Sequence, residues 1–276
     1  MVKVRKGYVD APTGQVHYRE AGEGIPLLLL HQSPHSSLMF TAAFEPLAER
    51  GIRAIAMDTP GFGMSDVPEP RPTIDTYASV IPSLLDALGI DACAVLGHHT
   101  GASIAIAFAL AHPERIRGLI LNSPPVYDEA RTAERLARAE RGPRPIAEDG
   151  SHLLRAWNSR LRATPGWTNL KAIHRSVVDT LYNGDTAWYG HLAVYEWPTL
   201  EKFKQLTVPA LILTNTGDEV YPWAQLAHRL RPDFEYVELE GGTHDIVDEQ
   251  PENWATVVAA YARRMAGVSD RPPAAV

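Results

Sequence analysis

Short, mostly apolar runs recur along the chain at Pro26–Leu30, Ile52–Met57, Ala92–Leu96, Ile116–Leu121 and Ala210–Thr214, and Pro26–Leu30 is apolar throughout. A strand buried on both faces has this pattern, because neither side of its pleat is left for polar residues. Between the runs, apolar positions fall at helical spacing over Leu38–Arg50, Thr73–Leu88, a stretch opening at Ala102, Ala224–Leu230 and Trp254–Met265. Gly51 and Gly89 close the first two of these stretches, as glycines do where a helix ends in a left-handed residue. Gly7–Asp10 and Val16–Arg19 flank the turn Ala-Pro-Thr-Gly and predict an opening hairpin, and Glu235–Leu239 predicts a final strand. Strands alternating with helices predict an α/β fold: a mostly parallel sheet with helices on both faces.

Residues 124–206 break this rhythm. They hold helical stretches at Thr132–Arg141 and His152–Arg162, no strand pattern, and many large aromatics: Trp157, Trp167, Trp188, Tyr189, Tyr195 and Trp197. So many large rings do not suit a purely solvated excursion. The segment is expected to be a helical lid inserted after the sixth strand, with some of its rings lining a pocket. The core is then residues 1–123 and 207–266, and 267–276, rich in Pro and Ala without apolar period, form a flexible tail.

Composition narrows the function. With 45% hydrophobic and 21% charged residues the chain suits one large globular domain. A net charge of −7 argues against a nucleic-acid partner or an anionic membrane surface. The N-terminus lacks the apolar core of a signal peptide, and no run approaches membrane-spanning length, so a cytoplasmic protein is expected. Cys93 is the single cysteine, excluding an intrachain disulfide. No dinucleotide fingerprint or phosphate loop is present, so no cofactor is expected. The partner is a small-molecule substrate, and oligomeric state leaves no trace.

The chemistry sits where predicted strands end. Gly97-His98-His99-Thr100-Gly101 follows Ala92–Leu96, His31-Gln32-Ser33-Pro34 follows Pro26–Leu30, and Asp58-Thr-Pro-Gly-Phe-Gly-Met-Ser65-Asp66 follows Ile52–Met57. Thr214-Asn-Thr-Gly-Asp218 and Gly241-Gly-Thr-His244 follow the last two strands. In this order they resemble the α/β-hydrolase superfamily across nearly the whole chain: a nucleophile elbow, an HGxP loop, a DxxGxGxSD turn, an acid loop and a histidine loop. The resemblance implies an eight-stranded, mostly parallel sheet with a helical lid. It also implies that Asp218 orients His244, and that the backbone N–H groups of Ser33 and Thr100 form an oxyanion hole, with Gln32 and His35 in the substrate-facing loop. The chain departs from the family at Gln32, where the family has glycine, and at His99, where it has Ser, Cys or Asp.

Three readings of His99 stay open. An imidazole is a competent base or nucleophile near neutral pH, so His99, Asp218 and His244 suit an enzyme, either hydrolysing an ester, lactone or C–C bond or acting as a lyase. Two neighbouring imidazoles resist joint protonation, which separates them into an acid and a base. In the second reading the fold is a non-catalytic binder or receptor. In the third, His99, His244 and His31 or His35 hold a divalent metal, although nothing in their spacing demands one. Ser33 is the hydroxyl to watch as a replacement nucleophile. The lid aromatics and the negative charge favour a small apolar or aromatic carbonyl compound.

Overall fold

The computed structural model describes residues 2–139 and 145–268. Arg141, at the end of one predicted helix, and residues 269–276 of the expected tail lie outside them. Eight strands form one sheet in the order β1-β2-β4-β3-β5-β6-β7-β8. They are β1 (Arg5–Ala11), β2 (Gly14–Ala21), β3 (Ile25–Leu30), β4 (Ile52–Met57), β5 (Cys93–His98), β6 (Ile116–Asn122), β7 (Ala210–Asn215) and β8 (Glu235–Leu239). Only β2 runs against its neighbours; β4, β3, β5, β6, β7 and β8 pair in parallel.

The apolar runs have the physical basis inferred for them. In β3, Leu28 and Leu30 enter one core layer while Leu27 and Leu29 enter the layer on the opposite face. Helices α2 (Ile74–Ser79), α3 (Ile81–Ala87) and α4 (Thr100–Ala111) pack into the first layer, and α1 (Phe44–Glu49) and α12 (Pro251–Met265) into the second. Helix α4 is buried from Thr100 to Ala109. Cys93 is buried in β5, and burial pushes its thiol pKa up to about 12.

Two predicted helices are interrupted, both by proline. Leu38–Arg50 resolves into a 3₁₀ turn, Ser37–Phe40, followed by α1. Pro46 has no N–H, and its ring would strike the carbonyl four residues back, so no single helix runs through Ala42. Likewise Thr73–Leu88 divides at Val80, because Pro82 cannot donate to Ala78. Thr73 caps α2, its side chain accepting from the Thr76 N–H at 3.2 Å. The helix predicted from Ala102 begins two residues earlier, at Thr100.

Between β6 and β7 lie α5 (Glu129–Ala139), α6 (Ser151–Ala163), α7 (Leu170–Tyr182), α8 (Tyr189–Glu196) and α9 (Thr199–Lys204). Side chains fasten this segment to the loops after β3 and β4. The Ser36 N–H and Oγ donate to Asp179 at 2.8 and 2.7 Å. Asn183 Oδ1 accepts from the Gly63 N–H at 2.8 Å, and Thr186 Oγ1 donates to the Gly61 carbonyl at 2.6 Å. The remaining helices, α10 (Tyr221–Leu230) and α11 (Ile246–Glu249), follow β7 and β8. No helix among the described residues is long and apolar enough to cross a membrane.

Candidate active site

The turn from β5 into α4 is fixed by its glycines. A Cβ on Gly97 would lie 2.1 Å from the Gly101 carbonyl oxygen, and one on Gly101 would lie 2.1 Å from that of Leu30. No side chain fits either place. Between them His99 takes φ 47° and ψ −108°, a conformation unfavourable for a residue with a Cβ. Its N–H donates to the Asn122 carbonyl at 3.0 Å, and its own carbonyl accepts from the Ala102 N–H at 2.8 Å. The tip is therefore held by neighbouring backbone whatever side chain it carries.

That side chain meets the acid loop. His99 Nε2 lies 2.7 Å from Asp218 Oδ2, and His244 Nδ1 lies 2.8 Å from Asp218 Oδ1. One carboxylate thus carries an imidazole on each oxygen. The two rings meet edge-on, their centroids 4.5 Å apart. Asn215 ties the acid and histidine loops together, donating to the carbonyls of Gly241 and Thr243 at 3.1 and 3.2 Å. Asp218 Oδ1 also accepts from the Val220 N–H at 2.9 Å.

The electrostatics pull the two imidazoles apart. Burial lowers the pKa of His99 below its ordinary 6.5, and the charge of His244 lowers it further against the attraction of Asp218. Burial also acts downward on His244, but hydrogen bonds to Asp218 and Glu219 outweigh it and push the pKa up to about 9. Burial opposes ionisation of Asp218, yet the flanking imidazoles hold it well below the usual carboxylate range. The ionised carboxylate is an acceptor only, so both facing nitrogens carry hydrogen. His99 is then neutral with its proton on Nε2, its Nδ1 keeps a lone pair, and His244 is an imidazolium.

The loop after β3 is organised differently from the sequence expectation. The Ser33 N–H donates to Thr100 Oγ1 at 3.3 Å, so one of the two expected oxyanion donors is already engaged by the residue that supplies the other. The Ser33 side chain is packed under α8, where a Cβ on Gly190 would lie 1.8 Å from Ser33 Oγ. Gln32 is buried, with Nε2 donating to the His244 carbonyl at 3.4 Å. His35 turns to α7, with Nδ1 3.6 Å from Asp179 and Nε2 3.5 Å from Ser176. His31 Nε2 accepts from the Thr59 N–H at 3.0 Å, and its Nδ1 lies 3.0 Å from the Gln32 carbonyl. The metal set of the third reading, His99 and His244 with His31 or His35, is not assembled: both of the latter serve the loops that hold them. Asp58 is structural, joining His17 Nδ1 at 2.7 Å and the N–H groups of Ser37 and Met64 at 2.6 and 2.9 Å.

A different donor set does converge. His98, His99 and Asp218 put possible ligand atoms within 4.8 Å of one another. His98 is fully buried, and neither ring nitrogen has a hydrogen-bond partner among the described residues. Its donor types suit a borderline cation. A metal there would have to replace the 2.7 Å contact of His99 with Asp218.

Further groups escaped the sequence reading. Glu219 Oε1 lies 3.5 Å from His244 Nε2 and accepts from Arg135 Nη2 of α5 at 3.0 Å. The bond to His244 pulls the Glu219 pKa down to about 2. Tyr127, after β6, meets Trp223 edge-on at 5.4 Å and Tyr195 at 6.2 Å, and His191 stacks on Tyr195 at 6.2 Å. Burial, then the charge of His244, draws His191 down to about 4. Of the aromatics singled out from sequence, Tyr195 joins this cluster. Trp197 instead belongs to the core, with Nε1 donating to Asp75 at 3.3 Å. Glu219 had a signal in its position directly after Asp218. Arg135 had none beyond its place in the inserted helices.

Comparison with known proteins gives this geometry a context. Residues 25–251 match the family described as alpha/beta hydrolase fold. A 2-hydroxy-6-oxononadienedioate/2-hydroxy-6-oxononatrienedioate hydrolase of Pseudomonas putida is 39% identical over 124 residues, 43% of this chain and 42% of that protein. The chain thus spans about two fifths of the length of such curated relatives. A proline iminopeptidase of Heyndrickxia coagulans is 25% identical over 93% of this chain and 98% of its own. Among solved structures, an epoxide hydrolase from Vigna radiata superposes with a TM-score of 0.78 at 20% identity, covering 95% of this chain and 98% of that one.

Proposed function

The chain belongs to the alpha/beta hydrolase fold family, and from that premise we propose that it is a hydrolase of a small apolar or aromatic carbonyl compound, with His99 as base and His244 as acid. One observation carries this reading. A single carboxylate, Asp218, receives an imidazole on each oxygen, and their surroundings shift the two proton affinities in opposite directions. Titratable groups driven apart in this way suit a division into acid and base.

In the proposed reaction, the lone pair on His99 Nδ1 takes a proton from water as its oxygen adds to the substrate carbonyl carbon. The bond to the leaving group then breaks, and His244 supplies a proton to that group. Transfer of the gained proton from His99 to His244 through solvent restores both rings. Asp218 stays ionised throughout, holding His99 through Nε2–H and His244 through Nδ1–H. The Thr100 N–H, at the N-terminus of α4, is the free backbone donor for charge developing on the carbonyl oxygen. Tyr127, Tyr195 and Trp223 favour an apolar or aromatic substrate body, and the relatives' names include hydrolases of carbonyl compounds.

The test is turnover of p-nitrophenyl esters, lactones and vinylogous 1,3-diketones by wild type, His99→Ala and His99→Ser, with and without EDTA. The expected result is chelator-insensitive activity that falls by roughly a hundredfold or more in His99→Ala, as on loss of a general base. Full activity in His99→Ala overturns the proposal. Loss on chelation, reversed by added zinc, moves the chemistry to a metal held by His98, His99 and Asp218. Tight binding of an aromatic ligand without turnover makes the protein a binder.

A further inference from the structure

Three arginines, each on a different inserted helix, reach an acid beside the candidate site. Arg135 of α5 donates to Glu219, the residue after Asp218, at 3.0 Å. Arg160 of α6 pairs with Asp245, the residue after His244. Arg175 of α7 puts Nη2 on both carboxylate oxygens of Asp248, in the short helix α11 that continues the histidine loop.

The pairs of Arg160 and Arg175 differ from the protein's other arginine–carboxylate pairs, whereas Glu219, the partner of Arg135, is 56% exposed and acts through its contact with His244. The side chains of Asp245 and Asp248 are only 7% and 9% exposed, the least of any carboxylate paired with arginine among the described residues. Elsewhere the acid is mostly open to solvent, as at Asp86 with 67%. A carboxylate taken out of water depends on its partner, whereas an exposed one barely does. The histidine loop has little regular secondary structure of its own. Gly241 and Gly242 both take positive φ, and beyond His244 the chain forms only the four-residue α11 before Pro251. From the core side it is held by Asn215 at the carbonyls of Gly241 and Thr243, by Thr216 at the Gly241 N–H and by Gln32 at the His244 carbonyl. On the other side it is held from the inserted helices.

We propose that Arg135, Arg160 and Arg175 are positioning residues that set Asp218 and His244 against His99, so that the site has its working geometry only when α5, α6 and α7 are seated. The inference rests on the function proposed above but can fail independently of it. Arg160 and Arg175 fix the backbone on the far side of His244. Arg135 holds Glu219 against His244 Nε2, so that His244 sits between two carboxylates, Asp218 and Glu219, with the His99 ring edge-on to it and His191 of α8 near enough to feel its charge.

The test follows His244 directly, by NMR of ¹⁵N-histidine-labelled protein, and needs no turnover. The expected wild-type result is a His244 titration near 9 and a downfield Nδ1–H held by Asp218. In Glu219→Gln its proton affinity falls by roughly tenfold or more, as expected on losing an adjacent opposite charge. In Arg160→Ala/Arg175→Ala the downfield signal broadens or disappears and amides of 241–248 exchange faster, while the sheet keeps its protection. The swap Arg175→Asp/Asp248→Arg restores the signal lost in Arg175→Asp. For any enzyme activity found, kcat falls more than KM rises, and the alkaline limb of the pH profile moves with the NMR titration. If the Nδ1–H signal and the titration of His244 are unchanged in the arginine variants, the proposal is overturned and the pairs merely dock the helices. Absence of turnover in wild type with the NMR changes intact overturns the enzyme reading alone.

Discussion

On one side of His99, the β5–α4 turn is held by contacts that admit no displacement: two absent Cβ atoms, each with 2.1 Å of clearance to a backbone oxygen, in a region with no exposed residue from Cys93 to Ala109. On the other side, α5 to α7 meet the acid and histidine loops through arginine–carboxylate pairs, while Leu153, Leu154, Leu170 and Tyr182 of α6 and α7 stand more than half exposed. Steric exclusion leaves the first region a single arrangement. Charge pairing across an interface tolerates movement, and its strength changes with protonation and salt. The candidate site therefore joins a rigid half to an adjustable one, with Asp218 at the seam.

The largest effect expected is at the rigid half. Gly101→Val puts branched carbon against the Leu30 backbone, which cannot shift without breaking β3 from β5, so the variant yields no folded soluble protein by circular dichroism. A folded variant with native stability would show that the turn is not sterically fixed. Next in size is Asp218→Asn, which removes the negative charge between the two imidazoles and leaves an acceptor for only one of them. Turnover is expected to fall by roughly a hundredfold or more, and the titration of His244 to drop from about 9 toward its ordinary range. Retention of the high titration would assign His244's charge to Glu219 alone.

A smaller, graded effect comes from pH. His244 holds its proton more tightly folded, with a pKa of about 9, than unfolded, at about 6.5. Its contribution to stability is complete below about pH 6.5 and is lost as pH rises through 9. His99 and His98, whose folded pKa values are lowered, act with the opposite sign and destabilise as pH falls below about 6.5. The thermal midpoint should decline between about pH 6.5 and 9, and His244→Phe should flatten that decline. An equally steep decline in the variant would assign it to other groups. The smallest effect is expected on the adjustable half. Leu154→Ser, on an α6 position 62% exposed, should change stability by no more than about 0.5 kcal/mol in urea titration. A larger loss would reveal packing on that face.

The same division decides what was legible in the sequence. Strand positions β3 to β7 follow from short, mostly apolar runs, the pattern of strands buried on both faces, and β8 from its own short strand pattern. The elbow is legible in Gly97 and Gly101, whose lack of a side chain is the constraint itself. The pairing of Asp218 with His244 follows from the order of the loops. That His99 Nε2 would turn to the same carboxylate, leaving Nδ1 free, is not encoded by any spacing, since it depends on a side-chain torsion chosen in three dimensions. Arg135, Arg160 and Arg175 look like ordinary polar-face residues of amphipathic helices. What distinguishes Arg160 and Arg175 is the burial of Asp245 and Asp248 beneath them, and Arg135 its bond to the acid that faces His244. The prolines at 46 and 82 were visible as residues, yet their effect on Leu38–Arg50 and Thr73–Leu88 was outweighed by apolar periodicity on both sides.

Because the conformation of His99 is imposed by its neighbours, the side chain at the tip is free to change without rebuilding the turn. Both histidine codons become aspartate codons through one substitution at the first base, whereas serine lies two substitutions away. A population carrying this gene therefore has ready mutational access to His99→Asp, which places a carboxylate at the elbow, facing the His244 imidazolium. The backbone strain at the tip is the same for either side chain, so selection between them would act on the reaction performed rather than on folding.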